Sequence, residues 1–470
     1  MLGRDPVSEP TKVMRWSIPT LTGSIVLQHY INPQYSSASL LVCFTMKIFL
    51  LIALIALSSA GVVKDYQKML EKYRGEGGLL QGSDSASQKE HFLAFKKFSK
   101  EVEQINADDS IPFDAENNQF SIMTESERAR YTGMNATVAD DTPAESTFVS
   151  SGSLPEYVNW VARGAQPAIK DQQTCASCWA FATTSALEAS YFLTTGDLTI
   201  FSDQELLDCS YEGIQDGCGG GWFNAPHDYM RKNNRIAPMT ANSYRNRDGA
   251  CRYSSKANGL TKATVNGYKK LSKGDASLKA GVTKGVVAVA ICLPGSFYAY
   301  KSGVYVDTKG ECRGKSPVHA VSVVGYGEGN GVLYWRVRNS WGSSWGAGGY
   351  IKMSRNANNN IGISDNSYMT VTECSGNDCN PQDFSDAQEE QEQEETGNCK
   401  DSKPKRCAKM TVENCTKGNK YYKWATLNCK KTCGLCQEEE DCGECPCGTV
   451  KCDDGTCKHE HMCHFYGLRM

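Results

Sequence analysis

Three residues have the types and the order that thiol chemistry needs. Cys178 lies in Gln172-Gln173-Thr174-Cys175-Ala176-Ser177-Cys178-Trp179, directly ahead of a run that reads as a helix. A thiol at a helix start sits at the positive end of the helix dipole, which favours the thiolate. His319 follows 141 residues downstream and Asn339 a further 20. An imidazolium beside the sulfur would hold a thiol of ordinary pKa about 8.5 as its nucleophilic anion, and would later protonate a leaving amine. Singly, Cys178 reads as a disulfide cysteine, His319 as a core histidine and Asn339 as a turn residue. Jointly, in this order, they point to nucleophilic catalysis.

The surrounding patterns supply elements to position them. Residues 178–194 read as a helix stopped by Gly196, and the segments VVAVAI, VHAVSVVGY, VLYWRVR and YIKM read as strands. A helical half therefore precedes a β half, with the cysteine on the first and the histidine and asparagine on the second. Upstream, KDYQKMLEKYR and QKEHFLAFKKFSKEVEQIN carry helical patterns, with Phe95, Phe98, Val102 and Ile105 on one face. The stretch from Asn135 to Ser153 has the composition of a cleavable linker.

At 470 residues, the chain has room for several folded units, and 40% hydrophobic with 22% charged residues excludes a collagenous or wholly disordered protein. A net charge of -3 gives no electrostatic support for nucleic acid. Of the 22 cysteines, only Cys43 precedes Cys175, and twelve crowd between Cys399 and Cys463. That density fits an oxidising compartment. Met46-Lys47, the apolar run Ile48 to Leu57 and Ser58-Ser59-Ala60 read as a signal peptide over 46–60. The apolar run is too short for a membrane span, and none is expected in the mature form. Met46 is then the expected start of translation, with 1–45 an upstream extension.

The motifs LPEYVNW, CASCWAF, LLDC, GCGGGW, HAVSVVGYG and NSWG follow one another between Leu154 and Thr372. Through them the chain resembles the papain-like cysteine peptidases. The resemblance implies an α+β fold over 154–373, with a helical lobe, a β-barrel lobe and a cleft between them. It makes Cys178 the nucleophile and His319 its base, with Asn339 accepting a hydrogen bond from the imidazole. It also makes Trp341 the shield over that bond, and Gln172 an oxyanion donor beside the backbone N–H of Cys178. No metal or cofactor is called for. Gly220 and Gly221 would pair main chain to main chain with an extended peptide or protein substrate. Trp222, Phe223, Ala290, Pro317 and Ala320 would wall the S2 pocket, with Asn366 at its base, implying an apolar P2 residue.

The resemblance further pairs Cys175 with Cys218 and Cys209 with Cys251. Ile361 stands where the family's third bridge has a cysteine, so Cys312 lacks its usual partner. Cys374 is the expected substitute, leaving Cys292 and Cys379 unassigned. Two other departures are Ala176, where glycine is usual and which would crowd S1, and Val318, where many plant members carry aspartate. Residues 61–153 resemble the family's inhibitory propeptide, most clearly in NNQFSIMTESE after Phe113-Asp114. Secretion or delivery to an acidic endomembrane compartment such as the lysosome would follow. Asn135-Ala136-Thr137 and Asn414-Cys415-Thr416 are glycosylation sequons.

Beyond the acidic run QEEQEQEE in the linker 380–398, residues 399–436 resemble the ShK toxin domain. That implies pairs Cys399 with Cys436, Cys407 with Cys429 and Cys415 with Cys433, on which so small a unit would depend to fold. Lys423-Trp424 matches the pair with which channel-blocking members plug potassium channels. The favoured reading is a tether for an extracellular partner. The cysteine-rich tail 437–470 could hold further disulfides, favoured by secretion, or zinc through Cys442, Cys445 and nearby histidines.

Overall fold

The structure, a computed structural model, describes residues 13–20, 23–30, 61–73, 85–135, 153–210, 216–251, 258–329, 332–355, 360–375, 379–380, 450–451 and 457–458. The expected signal peptide lies outside these, as do the ShK-like unit with its six cysteines and nearly all of the acidic linker and tail. The chain divides into two units, Met1–Ser83 and Asp84–Met470. In the first, Val13–Thr20 pairs antiparallel with Gly23–Tyr30, and residues 61–73 are helical.

The second unit opens with α1 (Ser85–Ala107). Its apolar stripe is buried at Phe95, Phe98, Val102 and Ile105, as the helical spacing requires. Asn106 pins the helix to the next strand, β1 (Phe113–Ala115): its side-chain amide donates to the Ala115 carbonyl and accepts from the Ala115 N–H, both at 2.9 Å. A one-turn helix, Glu125–Arg128, follows with a reciprocal cap between Thr124 and Glu127. His91 on α1 lies 3.0 Å from both Glu127 carboxylate oxygens, closing the arm 85–135 on itself.

The helical lobe is built on α2 (Cys178–Thr195), buried along nearly its whole length and ended by Gly196 in the left-handed region at φ 81°. Around it lie α3 (Asp203–Cys209), started by the Ser202 cap, and α4 (Asn224–Asn233). One sheet of nine strands makes the other lobe. Besides β1, it contains β2 (Val158–Asn159), β3 (Ala263–Lys270), β4 (Val287–Ile291), β5 (Tyr300–Tyr305), β6 (His319–Gly329), β7 (Val332–Arg338), β8 (Tyr350–Ser354) and β9 (Ser367–Cys374). The order is β1-β5-β8-β7-β6-β4-β9-β3, with β2 on β6. The centre strand β4 is buried at every position, hence the unbroken apolar run VAVAI. The papain-like α+β architecture expected from the motifs is thus present, and the arm adds β1 to the sheet edge by antiparallel pairing with β5.

Disulfides join Cys175 to Cys218 and Cys209 to Cys251. The expectation for Cys312 is corrected: it is bonded to Cys292, and Cys374 closes a short loop with Cys379. The reason is topological. Cys292 directly follows β4, and the chain turns through β5 and returns beside it within 20 residues. Ile361 lies there too, its carbonyl accepting from the Cys292 N–H at 3.0 Å.

Candidate active site

Cys178 is the first residue of α2 and His319 the first of β6, so the nucleophile and base candidates stand where the two lobes meet. Asn339 directly follows β7, which is antiparallel to β6. His319 Nε2 donates to Asn339 Oδ1 at 2.8 Å, and Asn339 Oδ1 also accepts from the Ser340 N–H at 2.8 Å. Trp341 covers this pair, with its ring centroid 4.7 Å from the imidazole. Tyr298 stacks parallel on Trp341 at 5.2 Å. Among the described residues, Cys178 is the sole unbridged cysteine.

Gln172 is held from three sides. Its Nε2 donates to the Cys175 carbonyl at 2.9 Å and to the Tyr131 carbonyl at 3.3 Å. Its Oε1 accepts from Ser340 Oγ at 2.6 Å, which fixes the amide so that Nε2 points the other way. Tyr244 donates to its backbone carbonyl at 2.7 Å. Ser340, Tyr244 and Tyr298 escaped the sequence reading. Ser340 lies inside the NSWG motif, so its place was visible although its partner was not; the two tyrosines carry no local signal.

The arm lies across this site. Gly133 and Met134 donate their N–H groups to the Val318 carbonyl at 2.9 and 3.0 Å. The Gly221 N–H donates to the Gly133 carbonyl at 2.8 Å, and the Asn135 N–H to the Gly221 carbonyl at 3.2 Å, in a parallel bridge. The backbones approach so closely that a Cβ on Gly133 would lie 1.9 Å from the Ala176 carbonyl oxygen. Gly220, at φ 121°, also has little room, with the Gly133 carbonyl 2.9 Å from where its Cβ would be. Met134 belongs to the broad buried cluster of the helical lobe that also includes Trp222, Phe223, Ala290, Ala320 and Tyr368. The Tyr368 hydroxyl accepts from Trp222 Nε1 at 3.0 Å. Pro317 and Asn366 lie outside that cluster and are part exposed; the Asn366 carbonyl accepts from the Ala290 N–H at 3.1 Å. Val318 remains 37% exposed beside the histidine.

Under this cover both candidate groups are neutral. Burial pushes the Cys178 thiol up to about 12, against the opposing pull of backbone N–H groups of Ala320, Trp179 and Gly133. Burial likewise pulls His319 down to about 4, opposed by its bond to Asn339. His227, buried on α4 between the Phe223 carbonyl and Thr370 Oγ1, is also brought to about 4 by burial. Each histidine takes up a proton when it is exposed below its ordinary value of 6.5. Their folded values are depressed, so this stability is complete above pH 6.5 and is lost as pH falls toward 4. The melting temperature of the intact precursor should therefore fall over that window, and His227→Gln should flatten the fall. A melting temperature that is level from pH 7 to 4 in both proteins would contradict this.

A model described as "Papain family cysteine protease" matches residues 154–371. The chain is 37% identical over 306 residues to digestive cysteine proteinase 2 of Homarus americanus, covering 62% of this chain and 91% of that one. It is 41% identical over 224 residues to cathepsin L of Sarcophaga peregrina, covering 47% of this chain and 65% of that one. Its fold is similar to the digestive procathepsin L 3 of Tenebrio molitor larval midgut, with TM-score 0.59 and 30% identity over 66% of this chain and 99% of the other. Among the described residues, no helix is long and apolar enough to cross a membrane. A buried thiol at the head of α2, a histidine–asparagine pair in the other lobe and relatives of this similarity lead to one conclusion: the chain belongs to the papain family of cysteine proteases and is a hydrolase.

Proposed function

We propose that this chain is a secreted or lysosomal endopeptidase made as a latent precursor, with the signal peptide at 46–60 and residues 61–153 as the inhibitory segment. Cys178 is the nucleophile. After the arm leaves, its sulfur attacks the scissile carbonyl, forming a C–S bond, while Gln172 Nε2 and the Cys178 N–H hold the oxyanion. His319 gives its proton to the leaving amine, then takes one from the water that hydrolyses the thioester. Asn339 orients the imidazole and Trp341 keeps water from their bond. The ShK-like unit serves as a tether to an extracellular partner and takes no part in hydrolysis.

The observation that carries this reading is the main-chain pairing of Gly133–Asn135 with Val318 and Gly221 directly over Cys178. The arm supports a second point, because Met134 belongs to the same buried cluster as four of the expected S2 walls. A peptide with an apolar P2 residue should fit there. With glutamate at P2, a carboxylate would be buried without a partner, costing roughly 10²-fold or more in kcat/KM. Paired fluorogenic peptides differing only at P2 measure this on the processed enzyme, and equal rates would remove the P2 assignment.

Gly133 gives a test of the cover itself. In Gly133→Val, the new Cβ cannot coexist with the Ala176 carbonyl, so the arm must lift. The intact precursor should then react with an epoxide thiol inhibitor such as E-64 at neutral pH roughly 10-fold or more faster than the parent, as expected when a strained contact costs about 1.4 kcal/mol or more. An unchanged labelling rate would mean that the arm does not gate the thiol.

A further inference from the structure

Behind the site, between α2 and β6, lies a cavity of about 10 Å³, just large enough for one water centre. Its lining includes Lys170, Ser185, Glu188, Ser322, Arg338 and Asn339. Most of these polar groups are engaged. Lys170 Nζ contacts Glu188 Oε1 at 2.8 Å and Asp203 Oδ2 at 2.9 Å. Ser185 Oγ donates to Gln166 Oε1 at 2.7 Å, and the Arg338 guanidinium donates to the Pro167 and Ala168 carbonyls at 2.6 Å.

Two buried atoms of the lining are not. Asn339 Oδ1 is taken by His319 and Ser340, which turns Nδ2 away from the imidazole, and Nδ2 has no partner among the described residues. Glu188 Oε1 is taken by Lys170 and by the Phe201 N–H at 3.1 Å, and Oε2 has no partner among the described residues. Glu188 is fully buried and Asn339 is 3% exposed. A donor and an acceptor left open on two residues that line the same small cavity are what one buried water satisfies, and leaving either unmet is costly.

We propose that a water in this cavity accepts from Asn339 Nδ2 and donates to Glu188 Oε2, which makes Glu188 a positioning residue for the hydrolysis. It acts through Asn339: the bridge holds the amide with Oδ1 toward His319, and so holds the imidazole plane. The proposal rests on the Cys178–His319–Asn339 reading above. Glu188→Gln keeps the shape and an acceptor for Lys170 and Phe201, but turns a donor toward the cavity. The water then accepts from both sides and its own hydrogens lose their acceptor.

The test is a kinetic cycle on the full chain, acid-processed, with Glu188→Gln, Asn339→Ala and both together. Glu188→Gln should lower kcat roughly 10-fold, within the ~10²-fold that misplacing a catalytic group costs, with KM changed less than about twofold. In the Asn339→Ala background the same substitution should change kcat less than about twofold, since the amide it acts through is gone. Equal losses in both backgrounds, or a loss confined to KM, would overturn the proposal. Asn339→Ala without loss of kcat would instead overturn the reading on which it rests. Should Glu188→Gln fail to fold, Glu188→Met removes the acceptor while leaving Lys170 paired with Asp203, and serves in the same cycle. A high-resolution crystal structure of the parent should show density bridging Asn339 Nδ2 and Glu188 Oε2, and an empty cavity would also overturn it.

Discussion

Cys178→Ala is expected to abolish peptide hydrolysis, a loss of roughly 10⁶-fold in kcat, the scale seen when the nucleophile of a catalytic unit is removed. The thiol is the sole unbridged cysteine among the described residues, it starts α2, and the backbone N–H of Ala320, next to His319, approaches it. No neighbour can substitute for it as a nucleophile, because the closest cysteine in sequence, Cys175, is tied to Cys218. The fold should survive. Alanine suits the first turn of a helix, and deleting one buried sulfur costs on the order of 1 kcal/mol. The check is turnover of purified Cys178→Ala beside its circular dichroism and melting temperature. Turnover within about 10²-fold of the parent, from a folded protein, would remove Cys178 from the mechanism.

The second large effect is latency. In the intact precursor, burial by the arm keeps Cys178 a thiol, with a pKa near 12, and His319 a neutral imidazole near 4. Neither the nucleophile nor the general acid is then present in its reactive form at pH 5 to 7. Removing residues up to about Ser153 returns water to the cleft, so the thiol falls and the imidazole rises toward each other's range, and the pair can exchange its proton. Activity on a small peptide at pH 5.5 should rise roughly 10²-fold or more, the order of a restored acid–base contribution. The comparison is the same chain before and after limited cleavage in 136–153. Full activity before cleavage would show that the arm is no inhibitor.

Much of the site could be read from the chain because papain-type chemistry is concentrated in short local motifs. CASCWAF marks a helix start carrying a thiol, and HAVSVVGYG and NSWG mark the first residue of β6 and the end of β7. Strand recognition followed local composition: β4, β6, β7 and β8 carry apolar, β-branched or aromatic runs and were legible even where half-exposed, whereas β3, β5 and β9 mix polar residues or glycine into their length and were not. The Cys292–Cys312 bridge escaped because pairing depends on where the chain returns after β4, which no spacing encodes. The aromatic cover of Trp341 is similar. Tyr298, Phe120 and Tyr131 come from segments up to 221 residues away from it in sequence and meet only in the fold: Phe120 sits 4.7 Å from the indole centroid and Tyr131 6.4 Å.

Mass-spectrometric location of an epoxide inhibitor's covalent adduct, on the precursor at pH 7 and on the acid-processed enzyme, tests the Cys178 site and its cover most directly. The account predicts one adduct, on Cys178, formed quickly after processing and at least roughly 10²-fold more slowly before it, because the reacting species is the thiolate that burial suppresses. An adduct on any other residue, or labelling of Cys178 at equal rates in the two forms, would contradict it.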